Sequence, residues 1–329
     1  GPAPAPAVSA LIALVTDSHG AHPPSLPEAA PLAARYPAPR RPKPSGGTIS
    51  GVFGVVGRRV SVGVPGIIGG VMAQAFEIAQ DIEVDATPEQ VWEAIATGPG
   101  LDSWFLGHSE IEPRQGGTVR WSIGDFTIDS TVTAWDPPNR FVSAGSPMPD
   151  GTFHQFDYAV EPREGSGSAV RFVHSGALGQ DDWEAEYEAM SEGDPMYLFK
   201  LVQYLKHFKG RFAVSIGLSG PQAPDHQTAM AAFRRALGLP DDVALGDRVK
   251  LTPDGIAPIE GTVDHLSKDF IGVLSDDAIY RFIHGFIGPM MVGHHIFAEG
   301  ADKQELEAEW QGWLDREFAS FSSGAGASD

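Results

Sequence analysis

The clearest pattern of apolar and polar positions begins at Phe76. Phe76, Ile78, Ile82 and Val84 alternate as a half-buried strand does, with a slip near Ala79-Gln80. Thr87 follows as an N-cap, with Pro88 at the first helical position and Gln90 where a capping box needs it. Val91, Trp92 and Ile95 give that helix one apolar face, and Gly98-Pro99-Gly100 is expected to stop it. Leu101–Leu106 reads as a second short helix with Trp104 and Phe105 turned inward.

Short alternating segments come next, separated by turn residues. Strands are expected near 110–113, 118–123, 127–136, 140–144, 153–161 and 169–175. A helical region, Asp182–Lys209, follows, with a break expected at Gly193-Asp194-Pro195. Its stripe of Leu198, Leu201, Val202, Leu205 and Phe208 has helical spacing. Such an order predicts an α+β fold: an antiparallel sheet wrapped around a long C-terminal helix that buries its stripe in the concave face. A helix covering only part of that face leaves a hollow able to hold an apolar ligand.

Residues 1–71 read differently. They hold 12 of the 27 prolines and carry more basic than acidic side chains. Proline removes a backbone donor and blocks helices, so most of this stretch is expected to be disordered. It is read either as a native flexible tail or as residues upstream of the native start. After the domain at 75–213, residues 214–227 read as a Gly/Pro-rich linker. A small α+β unit is expected at 228–320, built like a truncated relative of the first, with a short disordered tail at 321–329. In it, a helix at 228–237 precedes strands near 247–251, 259–266, 270–274, 279–283 and 291–297, and 302–318 closes as a helix.

Composition narrows the chemistry. The formal charge of −20 and pI of about 4.8 describe a surface that repels phosphate backbones, so nucleic-acid binding is not expected. There is no cysteine, which removes disulfides, thiolate metal sites and a cysteine nucleophile; the absence fits a reducing compartment, and a cytoplasmic location is expected. No apolar run reaches the ~20 residues a membrane helix needs, so no membrane span is expected. Walker-type loops, dinucleotide fingerprints and Gly-x-Ser-x-Gly elbows are missing from the sequence, and no cofactor is expected.

Several segments together resemble a known family. Ile82–Ile95, with Ala86-Thr87-Pro88-Glu89 and Val91-Trp92, resembles the opening of the START-like (SRPBCC) superfamily. Leu101-Asp-Ser-Trp104-Phe105 resembles its tryptophan-bearing second helix. Gly116-Gly117-Thr118-Val119 and Val132–Phe141, with Trp135 and Pro137-Pro138, resemble the subgroup named after activators of the 90-kDa heat-shock chaperone ATPase. The resemblance implies a helix-grip fold with a central cavity. It does not carry a function, because the superfamily spans lipid carriers, cyclases, hormone receptors and chaperone cofactors.

Three functions follow as expectations. The first is non-catalytic binding of a small apolar or amphipathic molecule. Its contacts are expected from Trp104, Phe105, Trp121, Phe126, Phe141, Phe156, Phe172, Tyr187 and Phe199. The second is a chaperone-cofactor-like module that docks a protein partner through the acidic entry to the long helix, Asp181–Glu192. The third is an enzyme of the cyclase or dehydratase kind, with His174 as its acid–base group beside Asp157 and Tyr158 on the preceding strand. His284, His294 and His295 are the residues closest to a metal set, yet neighbours on a strand point to opposite faces, so no metal is expected.

Overall fold

A computed structural model of the chain describes residues 55–62, 66–68, 71–179, 183–285 and 288–322. The disorder expected for 1–54, 63–65, 69–70 and 323–329 lies outside them, whereas 321–322, also expected in the disordered tail, end a short helix. Residues 55–62 and 66–68, also expected to be disordered, are strands: β1 (Val55–Val62) and β2 (Gly66–Ile68) both pair antiparallel with β3 (Val71–Val84). The opening strand thus starts at Val71, five residues before the alternation becomes legible.

Thr87 caps α1 (Pro88–Ala96) with a complete capping box: its hydroxyl accepts from the Gln90 amide, and the Gln90 side chain accepts from the Thr87 amide. The turn Gly98-Pro99-Gly100, expected as a stop, is itself the start of α2 (Gly98–Leu101), and residues 102–106 continue as turns. Gly100 makes this sharp approach possible, since a Cβ there would lie 1.8 Å from the Glu93 carbonyl oxygen. Strands β4 (His108–Ile111), β5 (Thr118–Ile123), β6 (Phe126–Asp136), β7 (Arg140–Gly145), β8 (Phe153–Pro162) and β9 (Ser168–Leu178) form a meander. β9 closes on β3, giving the order β1-β3-β9-β8-β7-β6-β5-β4.

The long helix α3 (Trp183–His207) crosses the concave face without the expected break, with Pro195 inside it. Proline removes one helical hydrogen bond. Packing on both sides holds the helix across that gap: Met196, Tyr197, Leu198, Lys200, Leu201, Tyr204 and Leu205 are all buried. No single stripe on a helix could include so many consecutive positions.

The second covering surface is another sheet. Residues 214–222, expected as linker, are strand β10 (Val214–Gln222), hydrogen-bonded to β15 (Pro289–Ile296). Then come α4 (His226–Ala236), β11 (Arg248–Leu251), β12 (Ile259–Leu266), β13 (Phe270–Leu274), β14 (Ala278–His284), β15 and α5 (Lys303–Glu317), followed by the short α6 (Ala319–Ser322). The sheet order β10-β15-β14-β13-β12-β11 repeats the winding β3-β9-β8-β7-β6-β5-β4 with one strand fewer. In both, the opening strand pairs with the last, and a long helix follows.

The faces of the second sheet have different neighbours. On one face, Phe233, Phe282, Trp310, Trp313, Leu314 and Phe318 fill a solid core beneath α4 and α5. On the other, Phe270, Ile279, Ile283, Met291 and Phe297 join the core that contains α3 and the first sheet. Phe297 stacks on Phe208 at 4.1 Å between ring centres. β15 is consequently buried along its whole length.

Candidate ligand cavity

Strand alternation sends one side chain in two to the concave face. On β7 these are Phe141 and Ser143, on β8 His154, Phe156 and Tyr158, on β9 Phe172 and His174, and on β5 Val119 and Trp121. α3 covers them with Met190, Asp194, Tyr197 and Leu198. Ile95, Leu101, Trp104 and Phe105 close the end beneath the short helices. A cavity of about 210 Å³ remains between sheet and helix. Ser146, which is exposed, borders it, as do Met148 and Thr152 of the β7–β8 connection. An apolar cavity of about 150 Å³ accommodates benzene, so this one fits a substituted ring. It is smaller than the ~300 Å³ at the low end for drug-sized ligands.

Of the nine aromatics expected at the site, Trp104, Phe105, Trp121, Phe141, Phe156 and Phe172 border the cavity. Trp104 and Trp121 are fixed by their indole N–H groups, which donate to the carbonyls of Ala94 at 2.9 Å and Leu106 at 2.6 Å. The other three lie elsewhere. Phe126 sits behind Trp121, with ring centres 6.2 Å apart. Tyr187 packs beside Trp183 over the Phe76–Met190 cluster. Phe199 turns the other way, toward His265 of the second sheet, because α3 has a second covered face.

The polar end of the cavity is a chain of three side chains. His154 Nδ1 lies 2.9 Å from His174 Nε2, and His174 Nδ1 lies 2.9 Å from Asp194 Oδ2. His174 stacks on Phe156 at 4.4 Å, and Phe76 meets its edge at 5.1 Å. The acid expected beside His174 was Asp157. That residue instead faces outward and holds Arg140 through two hydrogen bonds of 3.1 and 2.7 Å. Neighbours on a strand point apart, so Asp157 and the inward-facing Phe156 and Tyr158 cannot share a face. The true partner, Asp194, comes from the helix.

Electrostatics follow from burial. His154 is held well below the usual imidazole range, first by desolvation and then by His174. The phenols of Tyr158 and Tyr197 are pushed up, by burial and then by the negative charge of Asp194. Both keep their protons at any ordinary pH.

The three histidines weighed as a metal set are dispersed. His284 Nδ1 faces Asp269 at 3.3 Å. His294 packs on Trp310 and accepts from the Arg281 amide at 3.2 Å, whereas His295, on the opposite face, donates from Nε2 to the Phe105 carbonyl at 2.8 Å. Among the described residues no three His, Asp or Glu side chains gather to hold a metal.

Comparison with known proteins adds a family resemblance for one segment. Residues 85–206 match the model for activator of Hsp90 ATPase homolog 1-like proteins. The matched segment is similar to SRPBCC proteins of that type. No curated protein matches the chain. Among solved structures, the Aha1 dimer from Colwellia psychrerythraea is similar to it at 25% identity, over 41% of this chain and 98% of that one, with a TM-score of 0.34. CalU16 from Micromonospora echinospora matches at 19% identity, over 45% and 84%, with a TM-score of 0.33. DynU16, described as a putative protein in the dynemicin biosynthetic locus, matches at 18% identity over 75% and 96%, with a TM-score of 0.35. The Thr87-Pro88 and Trp104 motifs lie inside the matched segment, as do the residues that line the cavity beneath α3. Among the described residues no helix is long and apolar enough to cross a membrane.

Proposed function

We propose that the SRPBCC-like domain binds a small, largely apolar ring compound carrying at least one polar group, in the hollow beneath α3. The observation that carries this reading is a mostly apolar-walled cavity with His154, His174, Asp194, Tyr158 and Tyr197 on its border. Protein interiors are close-packed, so a hollow of this size is a departure that stability alone does not favour. The second unit reinforces the contrast, since its corresponding core is filled by Trp310, Trp313 and Phe318.

Native mass spectrometry of the purified full chain tests the reading, together with quenching of the Trp104 and Trp121 fluorescence by naphthalene and indole. A co-purifying molecule or saturable quenching is the expected result. An empty protein with no saturable quenching overturns it. A purely protein-docking role has less support, because part of the acidic entry to α3 is already engaged within the chain: Glu188 pairs with Lys268 of the second unit.

A further inference from the structure

The hydrogen-bond polarity of the three-residue chain says what the polar group of the ligand is. Asp194 as a carboxylate only accepts, so His174 donates from Nδ1. With His174 neutral, its Nε2 accepts and His154 donates to it from Nδ1. One atom is left over. His154 Nε2 carries a lone pair, is buried, and has no hydrogen-bond partner among the described residues. His154 itself is 2% exposed and borders the cavity. A buried polar atom without a partner is destabilising, and a ligand donor removes that penalty.

We infer that the ligand presents an acidic hydroxyl, a phenol or an enol, to His154, and that the His154–His174–Asp194 chain accepts its proton. The inference rests on the ligand-binding reading above and deepens it. In the step, the ligand O–H bond breaks and its proton joins His154 Nε2. The Nδ1 proton of His154 passes to His174 Nε2. The products are a ligand oxyanion, a neutral His154 and a His174 imidazolium paired with Asp194. No net charge is created, and no co-reactant is consumed.

Three further features agree with an O–H donor. A carboxylate ligand would bring a second negative charge and only lone pairs to His154. An ammonium ligand would lose its hydration in an apolar-walled space, with the nearby carboxylate already engaged by His174. Tyr158 and Tyr197 border the same cavity, and their phenols, holding their protons, can serve as donors for the oxyanion that forms.

The test uses the full-length protein with two probes of one size, 4-nitrophenol and its methyl ether 4-nitroanisole, followed by absorbance. Bound nitrophenol is expected to show the phenolate band at a pH where the free compound is still protonated. That band should fall at least tenfold per bound nitrophenol in His154→Gln and Asp194→Asn, while nitroanisole, which has no proton to give, still binds saturably to both variants. Nitrophenol that binds without the band, or a band that survives in both variants, overturns the proton relay and leaves the cavity reading intact. Failure of both probes to bind the wild type overturns both. If the variants do not fold, the imidazole ¹⁵N shifts of the wild type decide: His154 protonated on Nδ1 is expected, and a proton resting on Nε2 sinks the proposal.

Discussion

Arg281 and Asp264 meet edge to edge, Nη1 2.9 Å from Oδ1 and Nη2 2.8 Å from Oδ2, with the guanidinium wholly out of solvent. They reach each other across the intervening strand β13 because residue 272 there is glycine. A Cβ at Gly272 would lie 2.6 Å from both Arg281 Nη1 and Asp264 Oδ1. Removing one partner strands a buried charge. Asp264→Ala is therefore expected to lower stability by about 3–5 kcal/mol, whereas the double change Asp264→Leu with Arg281→Met costs far less. Urea unfolding of the three proteins measures the difference, and equal losses would show the pair to be dispensable.

Lys200 lies close by with much weaker support. It is fully buried between the body of α3 and β15; its amine donates a long hydrogen bond, 3.4 Å, to the Gly293 carbonyl and lies 5.2 Å from the centre of the Tyr197 ring. Burial first, then Arg281, pushes its pKa well below the usual lysine range, with Asp264 opposing. In the unfolded chain Lys200 holds its proton up to about pH 10.4. The unfolded state thus binds more protons between the depressed folded value and that pH, and stability contributed here rises with pH through the window. Lys200→Met should flatten that rise and add about 1–4 kcal/mol near neutrality, as replacement of buried charge by an apolar side chain commonly does. A Met variant less stable than wild type at pH 7 contradicts this account.

Acid should loosen the protein before its carboxylates titrate. His154, His294 and His295 are pushed well below the imidazole range by burial, and His265 to about 3 by burial and then Arg281. Unfolded histidines take up protons below about pH 6.5 while these stay neutral. Stability is full above that pH and is lost as pH falls from it toward the depressed folded values, by up to about 1.4 kcal/mol per pH unit for each histidine. Urea midpoints at pH 7.5, 6.0 and 5.0 are expected to fall in that order. A midpoint constant over this interval contradicts the assignment of neutral buried histidines.

Filling the hollow separates binding from folding. Ser143 is buried on the cavity wall, and its side chain is small. Ser143→Leu adds apolar volume to empty space, so stability should hold or rise by about 1 kcal/mol. Affinity for the ring probes should drop at least tenfold. Calorimetry with 4-nitroanisole checks both, and undiminished binding would place the ligand elsewhere.

The sequence pattern was informative wherever local chemistry decides structure. Thr87, Pro88 and Gln90 announce α1, and alternation through Thr118–Ile123 and Ile259–Leu266 marks β5 and β12 to the residue. It misled where tertiary packing decides. Pro195 reads as a break, but α3 is clamped on two sides. The glycines and Pro221 of 214–222 read as linker, yet Gly217 sits in a strand so tight that a Cβ would lie 2.7 Å from Leu106 Cδ1. The cavity aromatics were legible because alternation places Phe156 and Phe172 on one face. By the same rule His154, two residues before Phe156, was within reach. Asp194 lies inside the Gly193-Asp194-Pro195 sequence that reads as a break, so strand alternation alone points to the adjacent strand for the partner of His174.

The placement of α3 has a consequence for handling this protein. A helix with the first sheet on one flank and Phe270, Ile283, Met291 and Phe297 on the other is common property of both halves. Cutting the polypeptide near residue 213 would not yield two modules but two fragments with raw, sticky wounds. The two grips stand or fall as one piece.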